Sequence, residues 1–271
     1  MNIGGFNTPK IQTELLKLIR DEYHRFSPPK VKQVILGLIY SGVRLANDQL
    51  GVSHSLVNFY TKDCFFTNSW GDLSSYSLPS LVDFFESKRI IDRVVGISAI
   101  NAYSQHIFEK KSFEFDFKHD VLDKLQLQKS DKVGMVGLFK PMIPKILSKV
   151  KSLTIIENDP EKLGKFSGVE VIGDPSVLND VEVAIITGTS IINNTIDDLL
   201  KLVKDARTAM IGPTMAMLPD PLFKAGVDVI GGMKFFDVDK VIDIISQGQG
   251  TMRFKRFAKK YIIEENKYRG L

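Results

Sequence analysis

The sequence predicts an α/β protein in which a doubly wound, mainly parallel sheet follows a smaller α+β part. The segment Asp131–Asp159 shows a strand, a glycine-containing turn, a helix and a second strand, a pattern that closes as a right-handed parallel βαβ unit. Further on, apolar runs alternate with amphipathic stretches as far as Ser246, which is typical of a sheet covered by helices on both faces. The continuous apolar run Val181–Thr187 fits a buried central strand of that sheet.

The N-terminal part is predicted to hold one helix, a small meander and two further helices. Thr8 and Pro9 supply an N-cap and a first-turn proline for the first helix. β-branched residues mark the extended stretches, and apolar residues at helical spacing mark the helices. The predicted elements are a helix ending near Phe26, extended stretches at Val31–Tyr40, Ser41–Asp48 and Gly51–Tyr60, a polar loop at Asn68–Pro79 that holds Trp70, Gly71 and Asp72, and helices at Pro79–Lys88 and Ile91–Glu109.

Phe113, Phe115 and Phe117 alternate with acidic residues, which suits an edge strand or an extended linker lying over apolar surface. We place the domain boundary here, with an α+β domain at residues 1–112 and an α/β domain at residues 113–271. The second domain is predicted to contain strands at Lys132–Val136, Leu153–Ile156, Val169–Ile172, Val181–Thr187, Thr208–Ile211 and Val227–Ile230, and helices at Lys145–Val150, Thr195–Val203, Pro221–Ala225 and Val238–Ser246.

The composition restricts the class of protein. The chain has 271 residues, 44% of them hydrophobic, and a formal net charge of +4, so it can form a sizeable core. A single cysteine, Cys64, excludes an internal disulfide framework and suits a reducing compartment. The N-terminal stretch lacks an apolar signal region, and no apolar run approaches the roughly 20 residues that span a bilayer. We therefore expect a cytoplasmic protein that has no membrane partner.

Basic residues are concentrated near the C-terminus, at Arg253, Lys255, Arg256, Lys259 and Lys260. We interpret this segment as the solvated face of a helix, and we do not expect nucleic acid as a partner.

Three turns follow three of the predicted central strands. They are Gly137–Pro141, Thr187–Ser190 with the nearby Asn193, and Gly212–Thr214. In a parallel sheet these turns lie on the same carboxyl edge, where open α/β folds bind their ligands. Glycines let the backbone approach a ligand, and hydroxyl and amide groups offer hydrogen bonds without a fixed charge. The turns therefore predict a pocket for a small molecule.

Glu157 ends the second strand, roughly 20 residues after the first glycine turn. It could accept hydrogen bonds from ribose hydroxyls, or it could simply begin a turn, and the sequence leaves both alternatives open. A standard NAD site is disfavoured, because the G-x-G-x-x-G fingerprint is absent and Pro141 and Pro144 remove amide donors where a pyrophosphate would need them. Lys140 or Lys145 could offset part of that loss. An adenosine-like ligand without a pyrophosphate, or an unrelated anionic compound, fits better.

The sequence gives little support to a metal site built from side chains or to a hydrolase. The four histidines are scattered without a zinc-site spacing, so we expect surface or structural roles for them. No G-x-S-x-G elbow is present. A metal ion could be held by oxygen ligands such as Glu157, Asp174 or Asp72, or could arrive inside a chelating molecule. The turn Gly248–Thr251 is either an anion-binding nest or a helix C-cap.

Several stretches of the chain resemble, in order, the motifs of a prokaryotic family that is labelled as a putative heavy-metal chelation domain. The resemblance implies a Rossmann-like domain preceded by a smaller domain like the N-terminal domain of enolase, and a site in the cleft between the two. The stretches that carry it are LGLIYSGVRL, VGISAINAY, VGMVGLFKPMIP, TIIEND, GDPSVL, VAIITGTSIINNTIDDLL, MIGPTMAMLPDPLFKAGVDVIGG and SQGQGTMRF.

The resemblance also implies which residues bind a ligand in that cleft. These are Gly137, Phe139, Glu157, Thr187, Gly188, Thr189, Asn193, Gly212, Pro213 and Thr214, with Asn101 as the contributor from the N-terminal domain.

Two hypotheses about function follow. The first is a protein that binds a small anionic or metal-chelating ligand in the cleft, with a role in heavy-metal chelation or in handling a metallophore. The second is an enzyme that uses a nucleotide-type cofactor such as S-adenosylmethionine, with Glu157 on its ribose. The expected partner is a small molecule, and association of identical chains is left open. The cofactor is unidentified, and a metal ion or a metal chelate is the candidate.

Overall fold

The computed structural model describes residues 10–57 and 72–270. The predicted N-cap at Thr8, the cysteine Cys64 and the loop residue Trp70 lie outside the described residues. Within them, no helix is both long and apolar enough to span a bilayer.

The described residues of the N-terminal part form a three-stranded antiparallel sheet and three helices, which confirms the predicted meander and helices. The strands are β1 (Val31–Ile35), β2 (Tyr40–Leu45) and β3 (Leu50–His54), and the helices are α1 (Lys10–Glu22), α2 (Leu78–Asp83) and α3 (Ile90–Lys110).

Helix α3 is buried along almost its whole length, and the small sheet lies directly on it. Gly51 of β3 makes this contact possible, because a Cβ atom there would lie 2.1 Å from the carbonyl oxygen of Ser98. Val43 and Leu45 of β2 share the core that contains α3. The contact therefore brings the strand backbone against the helix backbone.

In the described residues, eight strands form the large sheet in the order β11-β10-β9-β8-β4-β5-β7-β6. The inner strands β10, β9, β8, β4, β5 and β7 are parallel, and the two edge strands are antiparallel to their neighbours. The strands are β4 (Lys132–Val136), β5 (Ser152–Ile156), β6 (Gly164–Phe166), β7 (Val169–Ile172), β8 (Val183–Thr187), β9 (Arg207–Ile211), β10 (Val229–Phe235) and β11 (Ala258–Glu264).

Helices cover both faces of this sheet, so the predicted mainly parallel α/β architecture is confirmed. Helical residues such as Leu122 and Ile146 pack on one face of the sheet, and α3 together with Leu200 packs on the other. Val52 of the small sheet also packs against Ile245 of the helix Val238–Ser246. The helices of this part are α4 (Val121–Lys124), α5 (Ile143–Leu147), α6 (Thr189–Ile192), α7 (Ile196–Leu202), α8 (Asp220–Lys224), α9 (Val238–Ser246) and α10 (Thr251–Phe254).

The basic C-terminal segment follows the predicted helix face in its first part only: Arg253 lies on α10, and Lys255 and Arg256 lie on the short 3₁₀ helix after it, all three exposed. Lys259 and Lys260 belong to the edge strand β11, where three buried residues, Tyr261–Ile263, follow them. The prediction was wrong for these two lysines, because Ala258–Glu264 pairs with β10, a long-range contact that local periodicity cannot reveal. The turn before it, Gly248–Thr251, caps α9: Gly248 has a φ of +68° and Gln249 donates to the carbonyl of Ile244.

The Phe113–Phe117 segment is an extended linker that crosses the edge of the large sheet. Its Asp116 forms an isolated bridge with Ile262 of β11, and the ring of Phe115 lies 4.1 Å from that of Tyr261. Of the two predicted alternatives, the linker over apolar surface is therefore the one observed.

Candidate functional site

The three predicted turns meet at the carboxyl edge of the large sheet. This follows from the strand order, because β4 lies beside β8 and β8 lies beside β9. The amide of Gly188 donates to the carbonyl of Ile211 over 3.0 Å, which joins the second turn to the end of β9. Gly137 and Gly212 have φ angles of +92° and +125°, a conformation that side chains disfavour.

A cleft of about 530 Å³ opens above these turns. Its other wall comes from the N-terminal part, where the described residues that line it are Tyr40, His54, Leu56 and Val57. The volume lies in the range of about 300–1,000 Å³ that is common for small-molecule sites. The cleft is therefore large enough for an organic ligand and is bounded by both halves of the chain.

All but two of the predicted site residues line this cleft. Gly188 lies beneath it, since a Cβ atom there would sit 2.7 Å from the sulfur of Met215. Asn101 is fully buried behind it and donates through Nδ2 to the carbonyls of Val52 and Thr214, over 2.8 and 2.9 Å. The lining residues among those predicted are Gly137, Phe139, Glu157, Thr187, Thr189, Asn193, Gly212, Pro213 and Thr214.

Helix α3 holds the chain that follows the third turn. The four residues Met215–Leu218 are buried but form neither helix nor strand. Gln105 donates to the carbonyl of Ala216 over 2.9 Å, and the hydroxyl of Ser104 accepts from the amide of Leu218 over 3.1 Å. Together with Asn101, these side chains supply the hydrogen-bond partners that buried backbone groups require.

The floor of the cleft is polar and uncharged. The hydroxyls of Thr187 and Thr189 lie 3.0 Å apart, and the Ser190 hydroxyl donates to the Thr187 carbonyl over 2.7 Å. The side-chain oxygen of Asn193 accepts from the Thr195 hydroxyl over 2.8 Å. This arrangement offers hydrogen bonds to a ligand and fixes the side chains that make them.

One corner of the cleft carries paired charges. The ammonium of Lys162 lies 3.0 Å from a carboxylate oxygen of Asp159 and 3.6 Å from one of Glu157. Burial lowers the pKa of Lys162, but its interactions with Asp159 and then Glu157 outweigh that effect and raise the pKa. Glu157 also accepts a hydrogen bond from the amide of Asn158, so it both begins the turn and faces the cleft.

His54, for which the sequence predicted a structural or surface role, faces this corner from the N-terminal wall. Its ring lies edge-on to that of Tyr40, with centroids 5.4 Å apart. Burial lowers the pKa of His54, and nearby Lys162 lowers it further, while Glu157 acts in the opposite direction. The sequence places His54 near the end of an extended stretch, which does not by itself predict a cleft residue. His54 reaches the cleft only because the two halves of the chain pack together.

Side chains of the described residues do not form a binding site for a bare metal ion. No group of three or more His, Cys, Asp or Glu residues there could hold one. Of the oxygen ligands predicted, Glu157 lines the cleft, whereas Asp174 and Asp72 do not. They instead accept hydrogen bonds from the amides of Ser176 and Ser74 and cap short helical turns.

Comparison with known proteins identifies the family of the chain. Two family models, DUF4213 and DUF364, match residues 20–104 and 120–264, and both are described as "Putative heavy-metal chelation". An uncharacterized protein of Methanocaldococcus jannaschii is 28% identical over 265 residues, which cover 94% of this chain and 96% of that protein.

Two crystal structures of DUF364-family proteins of unknown function share the fold. The protein from Pyrococcus horikoshii superposes with a TM-score of 0.76 at 23% identity, over 94% of this chain and 98% of the other. The protein from Desulfitobacterium hafniense gives a TM-score of 0.72 at 20% identity, over 93% and 98%. The chain therefore belongs to the DUF364 family, whose model is described as putative heavy-metal chelation.

Proposed function

We propose that the protein binds a small, oxygen-rich chelate of a metal ion in the cleft between its two halves. The observation that carries this proposal is the mismatch between the cleft and a bare ion. A site of about 530 Å³ is lined by hydroxyls, glycines, apolar side chains and a few charged groups, yet the described residues offer no cluster of three metal ligands. A chelator that brings most of the ligands resolves that mismatch.

The size of the cleft supports a chelate over a naked cation. Protein ligands surround a metal ion at about 2.0–2.6 Å, so a bare ion would fill a small part of the cleft. Glu157 and Asp159 lie on one side of it and can complete a coordination sphere that the chelator leaves open. The hydroxyls of Thr187 and Thr189 and the amide of Asn193 would bond to the organic part of the ligand.

Lys140 is the cation best suited to an acidic chelator. Its ammonium lies 4.9 Å from the centre of the Phe166 ring, and it takes part in no ion pair within the described residues. Lys162, in contrast, is already paired with two carboxylates. Lys140 can therefore bond to a ligand carboxylate without first breaking an internal pair.

A thermal-shift comparison tests the proposal. Zinc, citrate, zinc citrate, S-adenosylmethionine and ATP are added separately, and the midpoint of unfolding is measured. We expect zinc citrate to raise the midpoint more than either of its components, because a ligand at about 100 times its dissociation constant adds about 2.7 kcal/mol of stability. A rise with S-adenosylmethionine or ATP and none with zinc citrate would contradict the proposal.

Replacing Lys140 by methionine should weaken the binding of zinc citrate by roughly 10- to 100-fold, because a charge-assisted hydrogen bond contributes roughly 1.5–3 kcal/mol. Lys145→Met is the matched control, since Lys145 is exposed on α5 and does not line the cleft. Isothermal titration calorimetry measures both affinities. An equal loss in the two variants would show a general effect of charge and would contradict the assignment of Lys140.

A further inference from the structure

The turn that follows β3 selects one tautomer of the His54 imidazole. The amide of Leu56 donates to Nδ1 of His54 over 3.2 Å. Leu56 has a φ of +51°, which a branched side chain rarely adopts, so this bond helps to hold an unfavourable turn. The backbone of His54 is fixed as well, because its amide donates to the Thr214 hydroxyl over 3.2 Å.

We propose that His54 binds the cleft ligand as a hydrogen-bond donor, through a neutral imidazole whose proton is on Nε2. The atom that it contacts is then an oxygen of the ligand and not a metal ion. The existence of a ligand rests on the proposed function, whereas the position of the proton rests on the structure of the turn alone.

The chemistry of imidazole leads to this assignment. A ring nitrogen that accepts an N–H bond carries no proton, so the neutral ring must be protonated on the other nitrogen. A histidine that binds a metal has the opposite arrangement, in which the free nitrogen binds the ion and the other N–H donates to an acceptor. For His54 to bind a metal through Nε2, Nδ1 would have to be protonated and would face the Leu56 amide, donor against donor.

The surroundings of His54 direct its N–H group towards a ligand. No hydrogen bond within the described residues occupies Nε2, and the ring lines the cleft. The titratable groups near the ring are Tyr40 on β2, and Glu157 and Lys162 across the cleft. The ligand atom that accepts from Nε2–H is therefore an oxygen such as that of a carboxylate or an alkoxide. An oxygen-rich chelator supplies such atoms.

Nuclear magnetic resonance of the full chain, labelled with ¹⁵N in its histidines, tests the position of the proton. The spectrum should show His54 protonated on Nε2, with its signals assigned by their loss in His54→Gln. His119 is an internal reference of opposite type, because its Nδ1 lies 2.7 Å from a carboxylate oxygen of Asp116 and donates to it. A proton on Nδ1 of His54 would overturn the inference.

The same spectra distinguish a metal from an oxygen ligand. Zinc chloride should leave the ring signals of His54 unchanged, whereas zinc citrate should shift the Nε2–H signal. A shift produced at His54 by zinc chloride alone would show direct coordination and would overturn the inference. If wild-type protein binds no zinc citrate, the proposed function fails, but the spectrum of the free protein still decides which nitrogen carries the proton.

Two substitutions measure what the donor contributes. His54→Phe removes the N–H group and should weaken the binding of zinc citrate by about tenfold or more, whereas His54→Gln keeps a donor and should retain affinity within about threefold. Calorimetry measures both, and far-ultraviolet circular dichroism checks that each variant is folded. Equal losses in the two variants would show that the N–H group is not what binds the ligand.

Discussion

Replacing Gly51 by alanine should destabilise the protein by more than about 4 kcal/mol, an exceptionally large effect for one methyl group. The new Cβ atom would lie 2.1 Å from the carbonyl oxygen of Ser98 and 2.2 Å from the amide nitrogen of Ala102. Both are backbone atoms in the interior of α3, so no side-chain rotation can relieve the clash. Strand β3 would have to move away from the helix, and His54 and the cleft wall would move with it.

Gly42→Ala is the matched control for this prediction. Gly42 lies on β2 of the same small sheet, and an added Cβ there would meet its nearest neighbours at 3.3–3.5 Å. We expect this variant to change the free energy of unfolding by less than about 1 kcal/mol. Urea denaturation followed by circular dichroism measures both variants, and similar values would show that β3 does not rest on the helix backbone.

Replacing Arg93 by methionine should cost about 3–5 kcal/mol, because it removes the hydrogen-bond donor from several buried acceptors. Arg93 lies on α3 with 2% of its surface exposed, and burial lowers its pKa to about 10. Its guanidinium donates to the carbonyls of Ile192, Ile191 and Phe85, over 2.5, 2.9 and 2.8 Å. The bonds to Ile191 and Ile192 hold the end of the short helix that begins with Thr189.

The loss should be concentrated in one wall of the cleft. Arg93 also donates to the side chain of Asn194, a residue with a φ of +61°. In Arg93→Met, amide hydrogen exchange should accelerate across residues 189–195 more than in the strands of the large sheet. The control is Arg256→Met, an exposed position that should change stability by at most about 0.5 kcal/mol. Uniform acceleration would mean that Arg93 stabilises the whole fold and not this loop.

Local patterns in the sequence were sufficient for most elements of the fold. The strand Lys132–Val136 and the helix Val238–Ser246 were predicted at the bounds that the structure shows, because each has a clear period and clear ends. The strands β6 and β11 were missed. β6 has three residues, and β11 has two lysines near its start and forms through pairing with β10, so neither carries a local signal.

The candidate site was predictable on one side only. The rule that parallel strands present their carboxyl ends together located Gly137, Thr187 and Gly212 on one edge. The opposite wall could not be found in that way, because Tyr40 and His54 come from a different sheet and approach the edge through tertiary packing. The resemblance implied that Asn101 binds a ligand in the cleft, but tertiary packing buries it behind the lining.

The buried segment Met215–Leu218 makes the two halves of the chain depend on each other. Its backbone is satisfied by side chains of α3, and the same apolar core contains residues from α1, α3 and the large sheet. A truncated chain that begins at residue 113 would leave those backbone groups without partners and would expose one face of its sheet to water. We therefore expect the full chain to unfold in a single cooperative transition, with neither half autonomous.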